Sequence, residues 1–200
     1  VGTDCNCGKK VTALEVNRSL KNRGLRSEFI ATGQTGILIS GKGIAMDRVI
    51  ADFISGAAEK LVLDNEAFDF LVIEGQGSLA HPLYSGVTLG MLHGFAPQAL
   101  ILCHQVGRTI MRGTADTPMP SLKTMIDLYE RISAPVFPAR VVGVALNLMT
   151  LTDEKQARDE VKRVEDQLQL PATDVIRFGA DKLTEAALYF HQKGQVHSCR

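Results

Sequence analysis

The chain opens on Val1-Gly-Thr-Asp-Cys-Asn-Cys-Gly-Lys9, and this segment constrains the fold more than any other. A glycine at each end lets successive backbone N–H groups turn inward around an anion. A helix that follows directly places its positive N-terminal end at the same point. Lys9 then reaches outer phosphates as a point charge. This is the logic of a P-loop running from Gly2 to Thr12. Two departures matter. The glycines are separated by five residues where the usual pattern has four, and Lys10 stands where a Ser or Thr commonly binds Mg²⁺. Thr12 is the nearest hydroxyl, one turn further along. Phosphate binding is therefore expected on firmer ground than Mg²⁺-dependent phosphoryl transfer. The bland alternative is a glycine-rich turn carrying a surface lysine pair.

A P-loop joins a buried strand to a helix, yet only Val1 precedes Gly2. The sequence accordingly reads as a P-loop domain, residues 1–200, from a longer chain whose first strand begins upstream. Along the rest, short apolar runs alternate with helical stretches. The runs are Ser27 to Ala31, Phe68 to Ile73, Ala99 to Cys103, Val141 to Leu146 and Val175 to Phe178. Runs apolar on both faces suit parallel strands covered on both sides. Helices are expected from Lys9 to Arg23, stopped by Gly24, and over Val49 to Leu61. Three more are expected around Leu122 to Tyr129, around Ala157 to Leu168, and from Asp181 to Gln192. Thr32 to Gly36 reads as a turn, Val106 to Pro120 as a long loop, and Gly194 to Arg200 as a frayed tail. The fold class is α/β, a mostly parallel sheet with helices on both faces: a P-loop NTPase-like three-layer sandwich.

Lys+Arg and Asp+Glu both number 22, so no net field draws the chain to nucleic acid. No apolar run is long enough for a membrane span, and neither kind of partner is expected. Four scattered cysteines (Cys5, Cys7, Cys103, Cys199) without zinc spacing suit reduced thiols in the cytoplasm.

Several polar residues sit where α/β sheets bind ligands, at carboxyl ends of strands. Glu74, after Phe70-Leu-Val-Ile73, could act as a base, a metal ligand or an amine anchor, or simply cap a neighbouring amide. His104 follows its strand and His81 lies in the loop after Glu74, two acid–base candidates near neutral pH. Asn147 could read a base edge or start a turn. Arg108 and Arg112, in the long loop, could clamp a carboxylate or stay solvated. Asp52 could approach the crevice or occupy an ordinary solvated helix position. Asp4 lies within the loop and could bond backbone N–H groups.

The Gly-Thr-Asp opening and Gly-Lys ending resemble dethiobiotin synthetase. So do Glu74-Gly-Gln-Gly-Ser78, and Asn147 by strand position. Longer blocks resemble the D-glutamate N-acetyltransferase family: Ala31-Thr-Gly-Gln-Thr-Gly36, Ala51-Asp-Phe-Ile-Ser-Gly-Ala-Ala58, Ile73-Glu-Gly-Gln-Gly-Ser-Leu79 with His81-Pro82, and Leu89-Gly-Met-Leu-His-Gly94. That resemblance implies an N-terminal Rossmann-like domain ahead of this one, and acetyl transfer from acetyl-CoA to the amino group of D-glutamate. Cofactor contacts are then expected from Gly2, Thr3, Asp4, Asn6, Gly8, Lys9, Lys10, Thr12 and Asn147. Glu74, His81, His104 and Lys9 become the catalytic candidates, and Gln76, Ser78, Arg108 and Arg112 the substrate contacts. No metal is required. The runner-up, an ATP- and Mg²⁺-dependent ligase or kinase-like enzyme, would use Thr12, Asp52 and Glu74 as metal ligands. A homodimer is plausible for either enzyme.

Overall fold

A computed structural model describes the backbone of residues 1–198 and the side chains of residues 1–193. The chain is α/β, with every strand pair parallel. In order, the elements are α1 (Lys9–Asn22), β1 (Ser27–Ile30), α2 (Gln34–Ser40), α3 (Ile54–Leu63), β2 (Phe70–Ile73), α4 (Ser85–Phe95), β3 (Ala99–Gln105), α5 (Leu122–Ser133), β4 (Arg140–Asn147), α6 (Glu154–Leu168), β5 (Ala172–Thr173) and α7 (Asp181–Ser198). Two 3-10 turns, Met46–Arg48 and Ala51–Phe53, lead into α3.

Strands β1 and β2 pair with each other, and β3, β4 and β5 pair in that order. Between the two groups lies only the first stretch of chain. Cys103 N–H donates to the Val1 carbonyl and Thr3 N–H to the Cys103 carbonyl, each at 3.0 Å, so Val1 to Thr3 runs parallel to the end of β3. Below it a slot of about 780 Å³ separates β2 from β3.

Side-chain parity sorts the helices into two layers. Phe29, Cys103 and Ala145 face α1 and α7, packing with Ala13, Val16, Leu20 and Leu183. Ile30, Leu100, Leu102, Val144 and Leu146 point the other way, against α3, α4, α5 and α6. A register shift between Leu100 and Ile101 inserts Val142 as a bulge in β4 without disturbing this division.

Local chemistry explains most boundaries. Gly24 stops α1 at φ 77°, in the left-handed region. Ser121 and Asp153 accept from the N–H groups of Thr124 and Gln156, capping α5 and α6. Four expectations need correction. Val175 to Phe178 is not a strand: the Asp174 carboxylate accepts from the N–H groups of Ile176 and Arg177 and curls the chain into a turn. The last strand is Ala172–Thr173 instead. The turn expected at Thr32 to Gly36 is the start of α2, and the helix expected from Val49 begins only at Ile54, after the 3-10 turns. Helix α4 is too uniformly apolar to show a stripe. Helix α7 continues to Ser198; residues 199 and 200 of the expected tail, with Cys199, lie outside the described residues.

Leu183 is fully buried where α7 meets β4, with its Cδ2 only 2.6 Å from where a Cβ on Gly143 would stand. Leu183→Ala opens a cavity at that contact and should cost about 2–5 kcal/mol in urea unfolding.

Candidate functional site

The loop from Gly2 to Lys9 crosses the carboxyl end of the sheet and turns into α1. Gly8 has φ 109°, a conformation that a side chain would strain, and Asn6 is also left-handed at φ 50°. The backbone N–H groups from Asn6 to Lys10 donate to no protein acceptor among the described residues. They lie at the first turn of α1, as an anion cradle requires. Lys9 is buried and arches over the loop, donating from Nζ to the Asp4 carbonyl at 2.6 Å. Its stem passes 3.1 Å from where a Cβ on Gly75 would stand. The P-loop and the loop after β2 are therefore in contact.

Asp4 is fully buried and uses both carboxylate oxygens. Oδ1 accepts from Cys5 N–H at 2.7 Å and lies 3.5 Å from His81 Nε2. Oδ2 accepts from Arg108 Nη1 at 2.7 Å and from Arg112 N–H at 2.9 Å. Burial alone would raise the Asp4 pKa, but the hydrogen bonds from Arg112, Arg108 and Cys5 outweigh it and hold the carboxyl below its ordinary 3.8. Arg108 also donates to the Cys5 carbonyl and to Gln105, so it is bound to the P-loop rather than extended toward a ligand. Arg112 serves through its backbone, and its side chain is exposed. His81 is fully buried. Its Nδ1 accepts from Leu83 N–H while Nε2 faces the Arg112 carbonyl at 2.9 Å, which places the proton on Nε2. Both ring nitrogens are engaged, an arrangement suited to holding loops together. Asp4, Cys5 and His81 have ligand-type atoms within 4.8 Å of one another. Arg108 already supplies the positive charge that Asp4 balances there.

Glu74 is 5% exposed at the end of β2. Its Oε2 accepts from Thr32 N–H at 3.3 Å, and a Cβ on Gly36 would collide with the same oxygen. A Cβ on Gly33 would stand 2.5 Å from Gln76 Nε2. The glycines of Thr32-Gly-Gln-Thr-Gly36 thus make room for the two side chains of Glu74-Gly-Gln76. Thr32 Oγ1 completes the lock, donating to the Glu74 carbonyl at 2.7 Å and accepting from Gln76 at 3.1 Å. Burial pushes the Glu74 pKa up; the N–H groups of Thr32 and Gly33 and the charges of Lys10 and Lys9 offset this only in part.

The other candidates divide by location. His104 Nδ1 lies 3.0 Å from Thr3 Oγ1, and burial, reinforced by the Arg108 charge, lowers its pKa toward the neutral ring. Thr12 is buried at the first turns of α1. Asp52 is exposed on its 3-10 turn, and no contact among the described residues joins it to Glu74 or Thr12. Asn147 stands beside Gly8 and lines a cleft of about 200 Å³ with Val11, Asp174 and Arg177. Ser78 is fully buried under the loop.

Periodicity marks Tyr129 only as core, but its hydroxyl does more than fill space. It donates to the Gly2 carbonyl at 2.9 Å and accepts from Leu79 N–H at 3.3 Å, tying the P-loop to the loop after Glu74. Burial raises its pKa to about 12.

Known proteins share this architecture. Residues 1–184 match the P-loop domain of the domain of unknown function DUF1611. A protein named D-glutamate N-acetyltransferase from Pseudoalteromonas is 45% identical over 184 residues, covering 92% of this chain and 55% of the relative. The crystal structure of a DUF1611 family protein from Anabaena variabilis superposes with a TM-score of 0.91 at 42% identity, covering 94% of this chain and 56% of that one. The chain therefore spans about half the length of these relatives. Cobyrinic acid a,c-diamide synthase from Mycobacterium smegmatis, with bound ADP and magnesium, superposes at a TM-score of 0.60 and 17% identity, over 96% of this chain and 93% of that one. This last likeness shows the fold.

Tyr129→Phe leaves Leu79 N–H and the Gly2 carbonyl without their buried partner and should cost about 1–3 kcal/mol in urea unfolding. For Asp4 the sign follows from its depressed pKa: its contribution to stability is complete above 3.8 and is lost as pH falls through the lower folded value. The stability gap between the natural chain and Asp4→Asn, measured by urea unfolding, should be widest at neutral pH and close below that range.

Proposed function

For a chain that belongs to the DUF1611 family through its P-loop domain, we propose N-acetyl transfer from acetyl-CoA to the amino group of D-glutamate. The observation that carries this reading is Glu74: a buried carboxylate with a raised pKa, at a strand's carboxyl end, followed by Gly75 against the stem of the P-loop lysine. The name of the Pseudoalteromonas relative supports the choice of reaction and substrate.

The chemistry needs an anion site, a base and an oxyanion donor. In this reading the N–H groups from Asn6 to Lys10, with Lys9, hold the pyrophosphate of the acyl donor, and the cleft at Asn147 receives its base. Glu74 takes the proton from the substrate ammonium. The freed amine nitrogen then bonds to the thioester carbonyl carbon, and the C–S bond breaks to release the thiol form of CoA after protonation. N–H groups between Gly75 and Ser78, or Lys9, face the oxyanion. His104, held neutral against Thr3, is the second candidate for moving a proton. Because Arg108 is bound to Asp4, the substrate carboxylates are assigned to Arg112 and Gln76, whose side chains remain at the surface or half-buried.

An ATP- and Mg²⁺-dependent ligase shares the fold, but Lys10 stands where a metal-binding hydroxyl would follow Lys9. Calorimetric titration separates the two. Acetyl-CoA should bind, and Lys9→Ala should weaken it at least about tenfold, some 1.4 kcal/mol. Binding of Mg²⁺–ATP with no response to acetyl-CoA would overturn the proposal. Glu74→Gln should lower kcat by about 10²–10⁴. With Glu74 raised above its ordinary 4.5, kcat/KM should climb with pH through a limb above that value, as the carboxyl loses its proton. Turnover unaffected by Glu74→Gln would remove its role as base.

A further inference from the structure

We propose that Lys10 and Glu74 form one seat for the zwitterionic end of an α-amino acid, with Lys10 holding the α-carboxylate while Glu74 faces the ammonium. The seat rests on the acyl-transfer reading above and narrows its acceptor to an amine that carries a carboxylate on the same carbon.

A carboxylate needs a cation that no protein group has claimed. Lys9 donates to the Asp4 carbonyl, and Arg108 is bound to Asp4 and the Cys5 carbonyl. Lys10 differs from both. It is half-buried, and among the described residues its ammonium makes no hydrogen bond or direct ion pair.

Helix geometry places that ammonium. Ala13 and Leu14, three and four residues further along α1, pack with Ala31 and Ile37. Residues at those spacings share a face, so Lys10 rises from the side of α1 turned toward the start of α2, one turn nearer the phosphate loop. The Glu74 carboxylate reaches the same place from β2. Its Oε2 accepts from Thr32 N–H, and a Cβ on Gly36 in α2 would collide with it. Electrostatics agree with the geometry: burial raises the Glu74 pKa, and of the two lysine charges that oppose this, Lys10 acts more strongly than Lys9.

Opposite charges that face each other without a direct bond leave room for a group bearing both. An α-amino acid has its ammonium and carboxylate on one carbon, so it satisfies Glu74 and Lys10 together. A simple amine would leave Lys10 unpaired, and a carboxylate without an amine would set like charge against Glu74. The side-chain carboxylate of D-glutamate then falls to Arg112 and Gln76.

Two measurements test the seat. The first needs no substrate. In the natural protein, the ¹³C signal of the Glu74 carboxyl should titrate at higher pH in Lys10→Met, which removes one cation and leaves Lys9 and the N–H groups of Thr32 and Gly33 in place. An unmoved titration would overturn the juxtaposition, whatever the reaction. The second is steady-state kinetics with D-glutamate and with 4-aminobutyrate, which keeps the amine and the distal carboxylate but lacks the α-carboxylate. Lys10→Met should raise KM for D-glutamate about 10- to 100-fold, leave KM for acetyl-CoA unchanged and remove the preference for D-glutamate over 4-aminobutyrate. Lys10→Arg should restore most of that preference. A rise in the acetyl-CoA KM alone would put Lys10 on the phosphates and overturn the seat, as would no change in either KM. Absence of acetyl transfer in the natural protein would sink the reaction, and calorimetric titration with D-glutamate alone then decides the seat. Binding weakened by Lys10→Met supports it; equal binding, or none to either protein, overturns it.

Discussion

The Asp4 carboxylate is the point from which the site is assembled. It sits inside the phosphate loop, away from solvent, and is held as an anion by three donors, Cys5 N–H, Arg112 N–H and Arg108, with the edge of His81 lying 3.5 Å away. These four neighbours come from three separated segments of chain. Satisfying one buried charge therefore draws the 106–120 loop and the loop after β2 onto the P-loop. A positive guanidinium lies close to a phosphate cradle as a by-product, on a domain whose net charge is zero. The unpaired N–H groups from Asn6 to Lys10 make a local positive end without a net field of the whole molecule.

A second constraint works by absence of volume. Glu74 and Gln76 approach the backbone of the segment after β1 so closely that a Cβ on Gly33 or Gly36 would displace their side-chain ends. This holds the carboxylate beneath the first turn of α2, buried and short of enough hydrogen bonds to keep its pKa at the ordinary value. Tyr129 then sets the distance between this loop and Gly2 through one hydroxyl. The Glu74 carboxylate and the P-loop thus belong to one unit, joined through Tyr129 and the stem of Lys9.

Legibility from the chain followed the range of the interactions involved. The P-loop, the buried strands and the capped, striped helices α5 and α6 depend on neighbours within a few residues, and they stand where the pattern places them. Val175 to Phe178 looked like a strand because apolarity was visible and the Asp174 side-chain bonds were not. Helix α4 hid because it is apolar on every side, covered by α3 and α5. Among the polar candidates, His81 and Arg108 have the residue types of an active site, but their partners lie 77 and more positions away from them in Asp4.

The sequence by itself therefore determined the P-loop, the parallel α/β class and the family, since each rests on short spacings of glycine, charge and apolar residues. Only the tertiary structure decided which polar groups remain available for chemistry. A histidine or arginine is catalytic or structural according to the donors and acceptors that surround it. Those neighbours are brought together by packing across the sheet, over separations that no local pattern encodes.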